Sequence, residues 1–123
     1  MVPVTYKIDR TRRIVFSALE GILTVDEAIE HEEGLRNDPD FEPNFSQLFD
    51  CRQVTEIRAN QRTVELLAQK SPFSREAYRA LVADKDFVYG LARMYQLMKA
   101  GNKIEVFRDM EKARRWLGLQ EDI

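Results

Sequence analysis

After an opening hairpin, the chain sets one helix-length amphipathic segment between each strand-like run and the next. That alternation restricts it to few folds, because strands joined through helices pair in parallel by right-handed crossovers. Ala80-Leu81-Val82-Ala83, at the centre of a run from Tyr78 to Ala83, reads as a strand buried on both faces. Val4-Thr5-Tyr6-Lys7-Ile8 alternates apolar and polar, the period of a half-buried strand. Arg13 to Leu19 is its hairpin partner, joined through the short polar segment Asp9-Arg10-Thr11-Arg12. Gly21 is expected to interrupt that second strand, with Ile22 and Leu23 leading into a first helix over 25–36. Thr24 to Glu27 matches a capping box, in which hydroxyl and carboxylate each take the other residue's amide.

Pro39 and Pro43 mark a loop over 37–44. A short strand from Phe45 to Cys51, ending at Asp50, follows. Asn60 is a good N-cap for a second helix reaching about Lys70, which Pro72 stops. Phe87, Leu91, Met94, Tyr95 and Met98 share one face of a third helix over 86–100. Gly90 within it implies close packing against a neighbour, and Gly101 sits where a left-handed cap is expected. Ile104, Val106 and Phe107 form the last strand, and Asp109 caps a last helix that Gly118 closes. The expected fold is α/β in the order ββαβαβαβα, a mainly parallel sheet with an N-terminal antiparallel hairpin, in a single domain over 1–123.

With 123 residues, 44% apolar and 33% charged, the chain can bury a core without disulfides. Its net charge of −2 argues against nucleic acid as a partner. No apolar run approaches a membrane span, and Met1 to Arg10 lacks the apolar stretch of a secretory signal. The single Cys51 suits a reducing compartment, so a cytoplasmic location is expected. Residues 26–50 hold nine acids against one base, Arg36, which reads as a solvated helix face and polar loop. Asp38-Pro39-Asp40-Phe41-Glu42 starts like a calcium loop, but Pro43 stands where the sharp turn needs glycine.

Catalytic constellations are sparse. Cys51 and His31 are the one available Cys–His pair, and their spacing does not support a dyad. One Cys and one His also supply zinc poorly. No phosphate-cradling glycine loop or nucleophile elbow occurs, so neither catalytic residues nor a cofactor is expected. His31 borders the apolar stripe of Val25, Ala28, Ile29 and Leu35 and reads as a packed histidine. Glu32 falls near the centre of that stripe, and a stripe only partly covered is the simplest account of it.

Several segments carry a family resemblance: the opening hairpin, Phe45 to Asp50, Gly90-Leu91-Ala92-Arg93-Met94, and Val106-Phe107-Arg108-Asp109 leading to Ala113 and Trp116-Leu117. Over nearly its whole length the chain resembles the STAS/SEC14-like, or SpoIIAA-like, small bacterial proteins related to anti-sigma-factor antagonists. The resemblance implies a βα fold and protein–protein binding or ligand sensing. Phosphorylation-switched members carry a serine in an Asp-Ser-Ser/Thr-Gly motif after the third strand. From Asp50 to Lys70 this chain has neither serine nor glycine, and Thr55 and Thr63 lie outside any such motif.

The first reading is therefore a non-enzymatic interaction or sensor domain without the phosphorylation switch. The second is a small-ligand or lipid-binding domain, supported by the aromatic and methionine stripe of the third helix; a cofactor-free enzyme is the third. A pocket would keep the last two readings, and a closed core would sink both. Binding is expected beyond the carboxyl ends of the strands, near a switch in strand order, at Asp50, Arg52, Arg58, Asn60 and Asp84. A homodimer is expected from Phe41, Phe45, Phe73 and Tyr78, which fall in or near loops.

Overall fold

The computed structural model describes residues 4–119. Its strands are β1 (Val4–Asp9), β2 (Ile14–Thr24), β3 (Ser46–Arg58), β4 (Arg79–Val82) and β5 (Ile104–Phe107). Between and after them come α1 (Val25–Asn37), α2 (Gln61–Lys70), α3 (Asp86–Met98) and α4 (Met110–Trp116). The order is the expected ββαβαβαβα, and the five strands lie in the sheet as β1-β2-β3-β4-β5. The β1–β2 pair is antiparallel; every later pair is parallel. Among the described residues no helix is long and apolar enough to cross a membrane.

Sequential strand order decides where the helices go. Each right-handed crossover from β2 onward steps the same way, so α1, α2 and α3 fall on one face. On that face Val15, Leu35, Phe45 and Phe73 form one core cluster, and Leu19, Val54, Ala83 and Val88 belong to another. The opposite face, with Ile14, Leu48, Ala80 and Val82, is covered by α4 through Ala113. The strand order nowhere reverses, so the sheet has no switch point of the kind the sequence argument assumed.

Two strands run further than their sequences suggest. Gly21 does not end β2; it takes φ +73 inside the strand, beside a register shift against β3. Such bulges twist a pair without ending it. Nor does β3 stop at Asp50, and its pairing with β2 continues to Thr24–Arg58, beyond the last β4 partner at Val82. Asp50 and Arg52 therefore lie within a strand rather than at its end.

The helix faces also differ from expectation. In α1 the buried residues are Ala28, His31, Glu32 and Leu35, so the stripe is covered and Glu32 is inside. In α3 Val88 is buried while Phe87 is 47% exposed, which rotates the inward face by one position. A Cβ on Gly90 would meet nothing within 4 Å, so no close packing explains that glycine. Phe45 and Phe73 are buried and Phe41 packs edge-on against both. Of the four aromatics expected to support a dimer, Tyr78 alone is exposed, and it meets Trp116 edge to face.

Candidate functional site

Strand parity places unusual residues on the α1–α3 face. Alternate positions of a strand share a face. Val15, Ser17 and Leu19 of β2, Gln47, Phe49 and Cys51 of β3, and Arg79 and Leu81 of β4 follow that rule. Polar side chains therefore recur on three neighbouring strands where an apolar layer would be ordinary. Ser17, Gln47 and Arg79 are 3%, 0% and 4% exposed.

They are joined into one line of hydrogen bonds. The Arg79 Nε donates to Gln47 Oε1 at 3.1 Å, and Gln47 Nε2 donates to Ser17 Oγ at 3.0 Å. Ser17 Oγ lies 3.0 Å from His31 Nε2, and His31 Nδ1 lies 3.2 Å from Glu32 Oε1. Arg79 also donates to the Tyr95 hydroxyl at 2.9 Å, while its guanidinium lies over the rings of Phe73 and Tyr95. Helix α1 holds the far end because Thr24 caps it. The Thr24 hydroxyl accepts from the Glu27 amide and donates to the Glu27 carboxylate at 2.6 Å, a variant of the expected box. The His31 ring packs against Tyr6 and Phe49. Tyr6 in turn donates to Asp38 at 2.8 Å, and burial with that bond pushes its hydroxyl up to about 12.

Beside this line lies a cavity of about 140 Å³. Its walls are Leu19 and Leu23 from β2, Phe49 and Cys51 from β3, and Leu81 from β4. Helix α1 adds Ala28, His31 and Glu32; α2 adds Val64 and Leu67; α3 adds Val88, Leu91, Ala92 and Tyr95. Val88, Leu91, Ala92 and Tyr95 fall at i, i+3, i+4 and i+7, a single helix face. The long β2–β3 extension brings Leu23 and Ile57 to the same space.

Nucleophilic chemistry is disfavoured here. Burial, then the charge of Asp50, pushes the Cys51 thiol up to about 12, far from the thiolate a nucleophile needs. Both His31 nitrogens are engaged elsewhere. Among the described residues no group of three His, Cys, Asp or Glu side chains could hold a metal ion. Burial pulls Lys99 below the usual lysine range, Arg79 adds to the effect, and Glu32 opposes it. The Lys99 ammonium donates to the carbonyl of Ala68 near the end of α2.

The residues singled out from sequence separate into two places. Asp50 and Arg52 form a two-bond pair at 2.9 Å, with Lys85 Nζ on the Arg52 carbonyl and the Asp84 charge felt by Arg52. Burial works against ionising Asp50, but the Arg52 bonds prevail and hold its carboxyl below the usual range. Arg58 lies at the C-terminal end of β3, roughly 20 Å from the mid-strand Arg52 by strand rise, exposed and paired with Glu56. Asn60 is occupied as the cap of α2, accepting from the Thr63 amide at 3.1 Å. Ser17, Gln47 and Arg79 were missed from sequence. Their signal was a polar residue at the inward parity of three consecutive strands.

Neither the family models nor the curated proteins contain a match to this chain. Among solved structures, the chain is similar to an uncharacterized protein of the DUF3478 family with a SpoIIAA-like fold from Shewanella loihica PV-4. The two superpose with a TM-score of 0.63 over 95% of each chain, at 16% sequence identity. The chain therefore has a SpoIIAA-like fold, as its sequence resemblance implied.

Proposed function

We propose that this chain is a small-ligand-sensing domain that takes an apolar molecule into the cavity between its sheet and helices α1–α3. The observation that carries this reading is the cavity of about 140 Å³ with its nearly continuous apolar wall. Protein interiors pack as densely as organic crystals, so a space of this size is not the ordinary outcome of folding. An apolar cavity of roughly 150 Å³ stays dry and accepts one aromatic ring. A single ring or a short aliphatic chain is therefore the size class. The high thiol of Cys51 and the engaged nitrogens of His31 support binding rather than covalent chemistry.

This reading puts the binding residues in the cavity instead of the strand-end group of Asp50, Arg52 and Asp84. It unites the sensor and small-ligand alternatives that the sequence left side by side. Thermal unfolding against a panel of single-ring and short-chain molecules tests it. At least one member should raise the melting temperature in a concentration-dependent way. Ala92→Leu, which adds bulk to the cavity wall, should abolish that shift while the variant stays folded. A panel with no effect on the wild-type chain, or shifts that survive Ala92→Leu, would sink the reading.

A further inference from the structure

We infer that the cavity selects apolar molecules carrying one hydroxyl group, with Glu32 Oε2 accepting its hydrogen bond. This inference rests on the cavity reading above. It follows from counting donors along the buried line. Ser17 Oγ accepts from Gln47 Nε2, and because the Glu32 oxygen beside His31 Nδ1 is an acceptor, the neutral ring puts its proton on Nδ1 and takes the Ser17 proton at Nε2. The imidazole then gives its Nδ1 proton to Glu32 Oε1. From Arg79 to Glu32 each link spends its donor on the next. Nothing is left for the second oxygen of the last carboxyl.

Glu32 Oε2 is, among the described residues, the one buried side-chain polar atom without a hydrogen-bond partner. Its residue is 6% exposed and lines the cavity. A buried acceptor left unpaired is costly, and a ligand that supplies a donor removes the penalty. The surrounding charge argues for a neutral head. Lys99 feels the charge of Glu32, so the carboxyl already has a cation in its field. A carboxylate head would face Glu32 itself, and an ammonium head would have to leave water for an almost wholly apolar chamber. A hydroxyl meets neither, whether it comes from an aliphatic alcohol or a phenol.

Benzyl alcohol and anisole are isomers that separate the two properties. Both accept hydrogen bonds, but only the alcohol donates one. Calorimetric titration of the full chain should show benzyl alcohol binding about tenfold more tightly than anisole or toluene. Benzylamine and benzoate should both bind more weakly than the alcohol. Glu32→Gln keeps the shape but turns an amide N–H₂ toward the cavity while its oxygen faces His31 Nδ1–H. It should reverse the order, so that anisole binds at least as tightly as benzyl alcohol. Equal binding of alcohol, anisole and toluene to the wild-type chain overturns the hydroxyl inference and leaves the cavity reading standing. Tighter binding of benzylamine, or an alcohol preference that survives Glu32→Gln, also overturns it. If none of the five binds, the hydroxyl inference fails together with its premise. The wild-type series decides the matter even if the Gln variant does not fold.

Discussion

Ser17 is the link whose removal isolates the most buried polar groups for the smallest change in volume. Ser17→Ala deletes one oxygen from a side chain that is 3% exposed. It leaves Gln47 Nε2 without its acceptor at 3.0 Å and His31 Nε2 without its donor at 3.0 Å. Each stranded group costs roughly 1–3 kcal/mol, and part of that is recovered if the side chains shift. A net loss of about 3 kcal/mol is expected, which for a chain of this size lowers the melting temperature by roughly 10 °C. Urea unfolding should show the loss as a lower midpoint at unchanged slope. Ser46→Ala is the control, because Ser46 lies half-buried on β3 and only its backbone is bonded. It should stay within about 0.5 kcal/mol of wild type. Gln47→Leu, made singly and with Ser17→Ala, completes a cycle. The double variant should lose clearly less than the two singles together, because both break the same bond. A Ser17→Ala loss below about 1 kcal/mol, or strict additivity with Gln47→Leu, would refute the idea that these residues act as one buried line.

Gly90→Ala should stabilise the chain by about 1 kcal/mol, since the site is helical and open; a lower melting temperature would mean that α3 needs the glycine. Burial and the bond to Asp38 favour the neutral Tyr6 hydroxyl, pushing it up to about 12 when folded against an ordinary value near 10. Its contribution is complete below pH 10 and is lost as the pH rises from 10 to 12. Tyr6→Phe should cost about 1 kcal/mol at neutral pH and flatten that alkaline slope in pH-dependent melting. Cys51, its thiol pushed up to about 12, should be alkylated by iodoacetamide at pH 8 far more slowly than free cysteine. A rate within tenfold of the free thiol would contradict its placement. Arg58→Glu should leave the melting temperature nearly unchanged, because the Arg58–Glu56 pair is exposed. It should also leave ligand binding in the cavity unchanged, and a loss of binding would return the site to the strand-end loop.

Element order was legible because it rests on local patterns: alternation in Val4 to Ile8, helical spacing after Thr24, and the cap at Asn60. The lengths of β2 and β3 were not. Gly21 and the polar stretch after Asp50 look like chain breaks to any local rule, yet the two strands pair with each other through both. A strand stabilised chiefly by its partner leaves little trace in its own composition. The face of α3 was misread by one position because Phe87 is larger and more apolar than most helix residues. In the fold the smaller Val88 is buried, and Phe87 is left 47% exposed. The most consequential miss was Glu32. A carboxyl in the middle of an apolar stripe suggests an uncovered stripe, because burial without a partner is costly. Its partner is the neighbouring His31 on α1, and what holds that imidazole in place is Ser17 of β2, a contact set by tertiary structure alone.

The strand order also accounts for the cavity's position. In a sheet whose order reverses, helices divide between the two faces and a ligand crevice opens at the reversal. Here the order is sequential, and α1, α2 and α3 share one face. Three helices must then fan over a right-handed twisted sheet, whose strands diverge towards one end. At that end the β2–β3 pair outruns β4, so the sheet narrows while the helices still span it. Leu23, Ile57, Val64 and Leu91 bound the space that results, and none of them is large enough to fill it. At the β1–β2–β3 side the same space meets α1, where Ala28 is small and His31 and Glu32 are tied to the sheet. An apolar chamber with one polar end is thus a consequence of strand order and strand length. Filling it needs a single larger side chain, which is why Ala92→Leu separates a binding role from an accident of packing.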